Sequence, residues 1–143
     1  MSTLKQIWIK RAKRGPMDPV DRARLVAGKG IVGNANQRGK RQVTILSERH
    51  WREITSADPH VRRANLLVSD VDFTNARARI LKIGHVRIRI FGETRPCEQM
   101  DDALAGLKAS MSVPWGGGAF GEILDDGEIA IGDTVELEPL EPR

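Results

Sequence analysis

Val86-Arg87-Ile88-Arg89-Ile90-Phe91 is the stretch that decides the fold. Apolar and charged residues alternate strictly, which is the period of a strand with one buried face and with Arg87 and Arg89 turned to solvent. Just before it runs Ala78-Arg79-Ile80-Leu81-Lys82-Ile83, and Gly84-His85 supplies the turn that makes the two a hairpin. Further strands read outward from this pair. On the N-terminal side they are Leu4 to Ile9, the β-branched run Gln42-Val43-Thr44-Ile45-Leu46, and the short apolar run Asn65-Leu66-Leu67-Val68. On the C-terminal side they are Gly121-Glu122-Ile123-Leu124, Ile129-Ala130-Ile131 and Val135-Glu136-Leu137-Glu138, separated by turns at Asp126-Gly127 and Gly132-Asp133.

Helical signals are few. Ser47 stands where an N-cap belongs, ahead of Glu48–Thr55 with Trp51 and Ile54 on one face, and Asp58-Pro59 stops the helix. Met100, Leu104, Leu107 and Met111 fall at helical spacing after Pro96, which suits a first turn. The stretch from Pro16 to Asn36, with its two prolines and three glycines, reads as loop holding at most a short helix. Many short strands with few helices predict a mainly β fold, a compact barrel or sandwich.

The chain's 143 residues suit one domain, and 40% hydrophobic content excludes a mainly disordered chain. Cys97 is the sole cysteine, so no disulfide framework forms within the chain and a reducing compartment is the expectation. Residues 1–15 lack the apolar core of a signal peptide, and no run approaches the roughly 18 apolar residues of a membrane span. A soluble, cytoplasmic protein is expected.

Charge is unevenly spread. Residues 1–70 carry 15 Lys and Arg against 6 Asp and Glu, whereas residues 71–143 carry 8 against 13. The basic half points to an anionic partner, either a nucleic acid or a small phosphorylated ligand. Aromatic content of 4% with no tyrosine weakens any reading by base stacking, so nucleic acid is the less favoured of the two.

Candidate chemistry narrows to the thiol. One cysteine and three histidines (His50, His60, His85) make no zinc signature. Gly28-x-Gly30-x-x-Gly33 matches a dinucleotide fingerprint in letters only, because it follows a proline-rich loop rather than a strand. Cys97 follows Arg95-Pro96 at the start of the expected helix, where a guanidinium and the helix end both favour thiolate, a good soft-metal ligand or sulfur carrier. Asp101 lies four residues on, on the same helical face, placed to hold or protonate a ligand. Gly116-Gly117-Gly118 is open backbone that lets a ligand approach closely.

Seven short signatures then occur in order: Gly30-Ile31-Val32-Gly33-Asn34, Arg41-Gln42-Val43-Thr44, Arg63-x-Asn65-Leu66-Leu67-Val68, Leu81-x-Ile83-Gly84, Pro96-Cys97, the Gly116–Gly121 loop, and Gly127-x-Ile129-x-Ile131-Gly132-Asp133-x-Val135. No one of them is specific. Together, over about residues 28–135, they resemble the MOSC domain, named after the C-terminal domain of molybdenum cofactor sulfurases.

The resemblance implies a single β-barrel-like domain with a few short helices that binds the molybdenum cofactor or carries sulfur for it. It implies that Cys97 ligates molybdenum or holds sulfur, and that Arg63 and Asn65 lie near the site. The family's glycine signature usually ends in Gly-Asp, whereas this chain has Gly33-Asn34. Softness matches a thiolate to a metal held in a dithiolene. The cofactor's phosphate calls for a planar guanidinium, with Arg41 and Arg63 as candidates ahead of Lys40 and with Gly117 and Gly118 lending open backbone.

Three functions follow as expectations. The first is reduction of small N-hydroxylated or similar compounds at molybdenum held by Cys97, with electrons from a partner protein. The second is a non-enzymatic carrier whose Cys97 bears a persulfide or hands the cofactor on. A carrier needs a separate pyridoxal-phosphate cysteine desulfurase or another maturation protein. The third is a small basic barrel that binds nucleic acid.

Overall fold

The hairpin forms as read. In the computed structural model, which describes residues 2–56, 58–94, 115 and 118–139, β7 (Ile80–Ile83) pairs antiparallel with β8 (Val86–Glu93), from Ile80 opposite Arg89 to Ile83 opposite Val86. Val86, Ile88 and Ile90 are buried while Arg87 and Arg89 stand in solvent, as the alternation demands. From this pair the sheet continues through β9 (Ala119–Ile123), β5 (Val43–Ser47), β6 (Leu66–Val68) and β1 (Ser2–Lys10). β11 (Thr134–Leu137) then pairs with both β1 and β7. That double pairing closes a seven-stranded barrel. Closure removes the open edges that a sheet of this size otherwise exposes.

Only the β5–β6 pair is parallel among the described strands. Parallel neighbours need a crossover. Here it consists of α1 (Glu48–Ile54) and a 3-10 turn, Pro59–Arg62. A seven-residue helix is marginal by itself. It is held by Trp51, which packs with Trp8, Leu46, Ala64 and Leu67 in a small second core on the outside of the barrel. The main core fills the barrel with Leu4, Ile7, Leu25, Ile45, Leu66, Leu81, Ile83 and Ile88, among others. A register shift between Leu4 and Gln6 lets β1 keep both Leu4 and Ile7 inward despite their odd spacing.

Two expectations are corrected. Residues 16–36 are not loop: they hold β2 (Met17–Val20), β3 (Arg22–Val26) and β4 (Gly30–Ile31). β2 pairs with β1 alone, and an edge strand tolerates Pro19. β3 forms a separate three-stranded sheet with β4 and with β10 (Gly127–Ala130). The turns after β9 and β10 therefore carry the chain between two sheets, and Ile131 lies in the second turn rather than in a strand. Ser47 does occupy the N-cap of α1, yet its hydroxyl makes no capping bond. It accepts the Val71 N–H at 3.3 Å instead. The expected helix after Pro96 lies outside the described residues.

The solvent face of β8 carries a testable ion pair. The Arg87 guanidinium grips Asp125 with two bonds, of 2.8 and 3.0 Å, and the Arg87 backbone N–H adds a third of 3.0 Å. The guanidinium, before any other cause, holds the Asp125 carboxyl below its ordinary range. A carboxyl whose folded value is lowered stabilises the fold above the ordinary carboxylate pKa, and that contribution disappears as pH falls through the lowered value. Asp125→Asn is expected to lower the urea midpoint at neutral pH, with the difference closing on acidification. A gap that persists in acid assigns the effect to packing rather than to charge.

Candidate functional site

Three of the residues expected at the site meet in one cavity of about 160 Å³. Arg41, Arg63 and Asn65 line it together with Lys10, Met17, Asn34, Asn36, Thr44 and Arg62. Among the described residues that line it, four are cations and none is a carboxylate. The barrel explains the convergence: Lys10 ends β1, Thr44 lies in β5, Asn65 precedes β6, and Arg41 enters β5 from the preceding loop.

Asn65 is buried and fully engaged. Its Nδ2 donates to the Trp8 carbonyl and to Asn34 Oδ1, each at 3.1 Å. Its Oδ1 accepts from the Thr44 N–H and hydroxyl at 3.2 Å. One side chain thus pins β1, β5 and the loop after β4 around the cavity floor. The Asn34 Oδ1 also accepts the Lys10 N–H at 2.9 Å. Aspartate at position 34 could accept the same two hydrogens, but its charge would cancel one of the cavity's cations. The amide keeps the floor neutral and the site strongly anion-attracting.

Arg63 closes the 3-10 turn in the left-handed conformation, φ 63°, and its guanidinium donates to the Gly15 carbonyl. Arg41 is exposed and lies over the Phe120 ring, 5.7 Å from its centroid. Cation–π contact of this kind orients a guanidinium while leaving its N–H donors free. Burial, then Arg63, Arg41 and Lys13, push the Lys10 ammonium below the ordinary lysine range. Sequence reasoning missed Lys10, although a lysine directly after the apolar run Ile7-Trp8-Ile9 is a visible signal.

Gly118 has a different place. It does not line the cavity: a Cβ there would stand 2.3 Å from the Ile45 carbonyl oxygen, so β5 requires glycine whatever binds nearby. Its N–H donates to the Trp115 carbonyl and its carbonyl accepts the Thr94 N–H. Trp115 N–H in turn meets the Glu93 carboxylate at 2.6 Å. Thr94 and Gly118 are therefore joined beside β5. Cys97, Asp101 and Gly117 lie outside the described residues. Among the described residues no cluster of His, Asp or Glu could hold a metal ion.

Two other hollows lack this character. One of about 160 Å³ beside α1 contains Arg49, which is matched by Asp70 and Glu53. A groove of about 400 Å³ over Trp8 and Leu67 pairs Arg52 with Glu48 and His60 with Asp58. Internal pairing leaves little unspent field for a ligand.

Comparison with known proteins bears on the family and the fold. The family model of the MOSC domain matches residues 28–136. No curated protein matches the sequence. Among solved structures, the fold is similar to the YuaD protein from Bacillus subtilis, with TM-score 0.82 and 18% identity over 99% of this chain and 98% of that one. YiiM from Escherichia coli gives TM-score 0.70 and 14% identity over 99% and 72%. YiiM from Geobacillus stearothermophilus gives 0.70 and 15% over 97% and 76%. At these identities the likeness is one of fold.

Proposed function

Because this chain belongs to the MOSC domain family, we propose that it binds the molybdenum cofactor and reduces small N-hydroxylated or related nitrogen compounds, with electrons from a partner protein. The observation that carries the reading is the cavity in which Lys10, Arg41, Arg63 and Asn65 meet, with no carboxylate among its described lining residues. Its donor set fits the cofactor's phosphate. Guanidiniums grip a phosphate in bidentate fashion, and the amides of Asn34 and Asn36 add neutral polar lining.

Cys97 is the molybdenum ligand in this reading, as a thiolate, and it is the only thiol available. It follows Thr94, whose N–H is tied to the Gly118 carbonyl beside β5, by three residues. Asp101 holds or delivers a proton to the substrate. When bound, the metal supplies the two-electron chemistry. This chain's own residues fix the cofactor's anionic end, ligate its metal and move the proton.

The test is composition. Protein purified from a cofactor-producing host is expected to contain molybdenum and pterin in equal, stoichiometric amounts. Cys97→Ser should lose the metal while keeping pterin, whereas Arg41→Ala and Arg63→Ala should lose both. Wild-type protein without metal or pterin overturns the reading. Cyanide-labile sulfur on Cys97 in such a preparation assigns the carrier role instead.

A further inference from the structure

Lys10 differs chemically from the rest of the cationic cavity. The guanidiniums of Arg41, Arg62 and Arg63 are hydrogen-bond donors with no lone pair to give. Asn34, Asn36, Asn65 and Met17 do not titrate, and Thr44 is a poor nucleophile without a base. Among the described lining residues Lys10 carries the one amine. It is half-buried at the end of β1, where its own backbone N–H is fixed by Asn34. It faces the charges of Arg63, Arg41 and Lys13, and among the described residues that line the cavity none is a carboxylate. Crowding by like charge and partial desolvation both favour the free amine, the form that attacks carbonyl carbon. The same guanidiniums concentrate anions at that point.

We propose that Lys10 is a nucleophilic amine that captures phosphorylated aldehydes in this cavity as imines. The reaction balances without oxidant or reductant. The amine nitrogen attacks the aldehyde carbon, its two protons pass in turn to the carbonyl oxygen, and that oxygen leaves as water as the carbon–nitrogen double bond forms. Phosphate on the aldehyde is held by Arg41 and Arg63, so binding and reaction share one small volume. An aldehyde held there covalently excludes any other phosphate from the cavity. The proposal needs neither Cys97 nor a metal, so it stands or falls apart from the cofactor reading.

The probe is pyridoxal 5′-phosphate, fixed by borohydride and located by mass spectrometry of the full chain. The expected result is an adduct at Lys10, formed about tenfold faster than at the exposed Lys5, Lys13, Lys29, Lys40 or Lys82. Pyridoxal, which lacks the phosphate, should show no such preference, and inorganic phosphate should suppress the Lys10 adduct. Arg41→Ala should slow capture of the phosphorylated probe and leave pyridoxal unaffected. Lys10→Arg should remove the adduct while the thermal transition stays in place. Adducts spread evenly over the lysines, or Lys10 labelled equally fast by pyridoxal, overturn the proposal. If Lys10→Arg fails to fold, the wild-type adduct map decides alone.

Discussion

Asn65→Leu is expected to destabilise the fold by about 3 kcal/mol or more, because it strands several buried polar groups at once. The shape is nearly kept and the hydrogen bonds are not. The Trp8 carbonyl and Asn34 Oδ1 lose a donor, and the Thr44 N–H loses its acceptor. Asn65→Asp separates hydrogen bonding from packing. Its carboxylate still accepts from Thr44, but the other oxygen faces the Trp8 and Asn34 oxygens. These neighbours raise the folded-state pKa of the new carboxyl, so the protonated form is favoured in the fold and stability recovers as pH falls. Urea unfolding across the acid range should show Asn65→Asp approaching wild type while Asn65→Leu stays flat. Parallel behaviour of the two variants would remove Asn65 from its place as the tie between β1, β5 and the Asn34 loop.

Gly121→Ala is the second large effect. An added Cβ would lie 2.1 Å from the Arg89 carbonyl oxygen and 3.2 Å from the Ile90 Cα, and both are backbone atoms. Backbone cannot swing aside as a side chain does, so β8 and β9 would have to part at Ile90, where Gly121 pairs. A loss of about 3 kcal/mol or failure to accumulate as folded protein is expected. Gly28→Ala is the control. Gly28 has φ +72° and nothing within 4 Å of an added Cβ, so it costs only the left-handed backbone penalty of about 1–2 kcal/mol. Equal denaturant midpoints for the two variants would contradict this contrast.

The β8 alternation, the Gly84 turn and the buried run at Leu66 were legible because each is a local pattern read within a few residues. β3 was not read, although Ala23 and Leu25 alternate with Arg22 and Arg24, because flanking prolines and glycines outweighed a five-residue signal. Those breakers in fact sit at an edge strand and in turns, a placement that depends on pairing with distant β1 and β10. The site divides in the same way. Arg41, Arg63 and Asn65 were found through short signatures, and they do share a cavity. Lys10 and Thr44 come to that cavity only through the barrel's register, which no window of sequence contains. Gly118 shows the converse: the glycine was legible, but its reason, contact with Ile45 of β5, was not.

The joint between β1 and β11 also governs how this protein is born. Ser2 and Thr3 pair with Val135 and Thr134, so β1 waits for β11 before the barrel can seal. Until residue 137 has left the ribosome, β7 and the start of β1 each keep a bare edge. Pairings across so long a stretch of chain place folding in the slow range for small domains, roughly milliseconds to seconds. The nascent chain is therefore at its most adhesive just before β11 emerges, and a ribosome stalled short of β11 would release a sheet open to its neighbours.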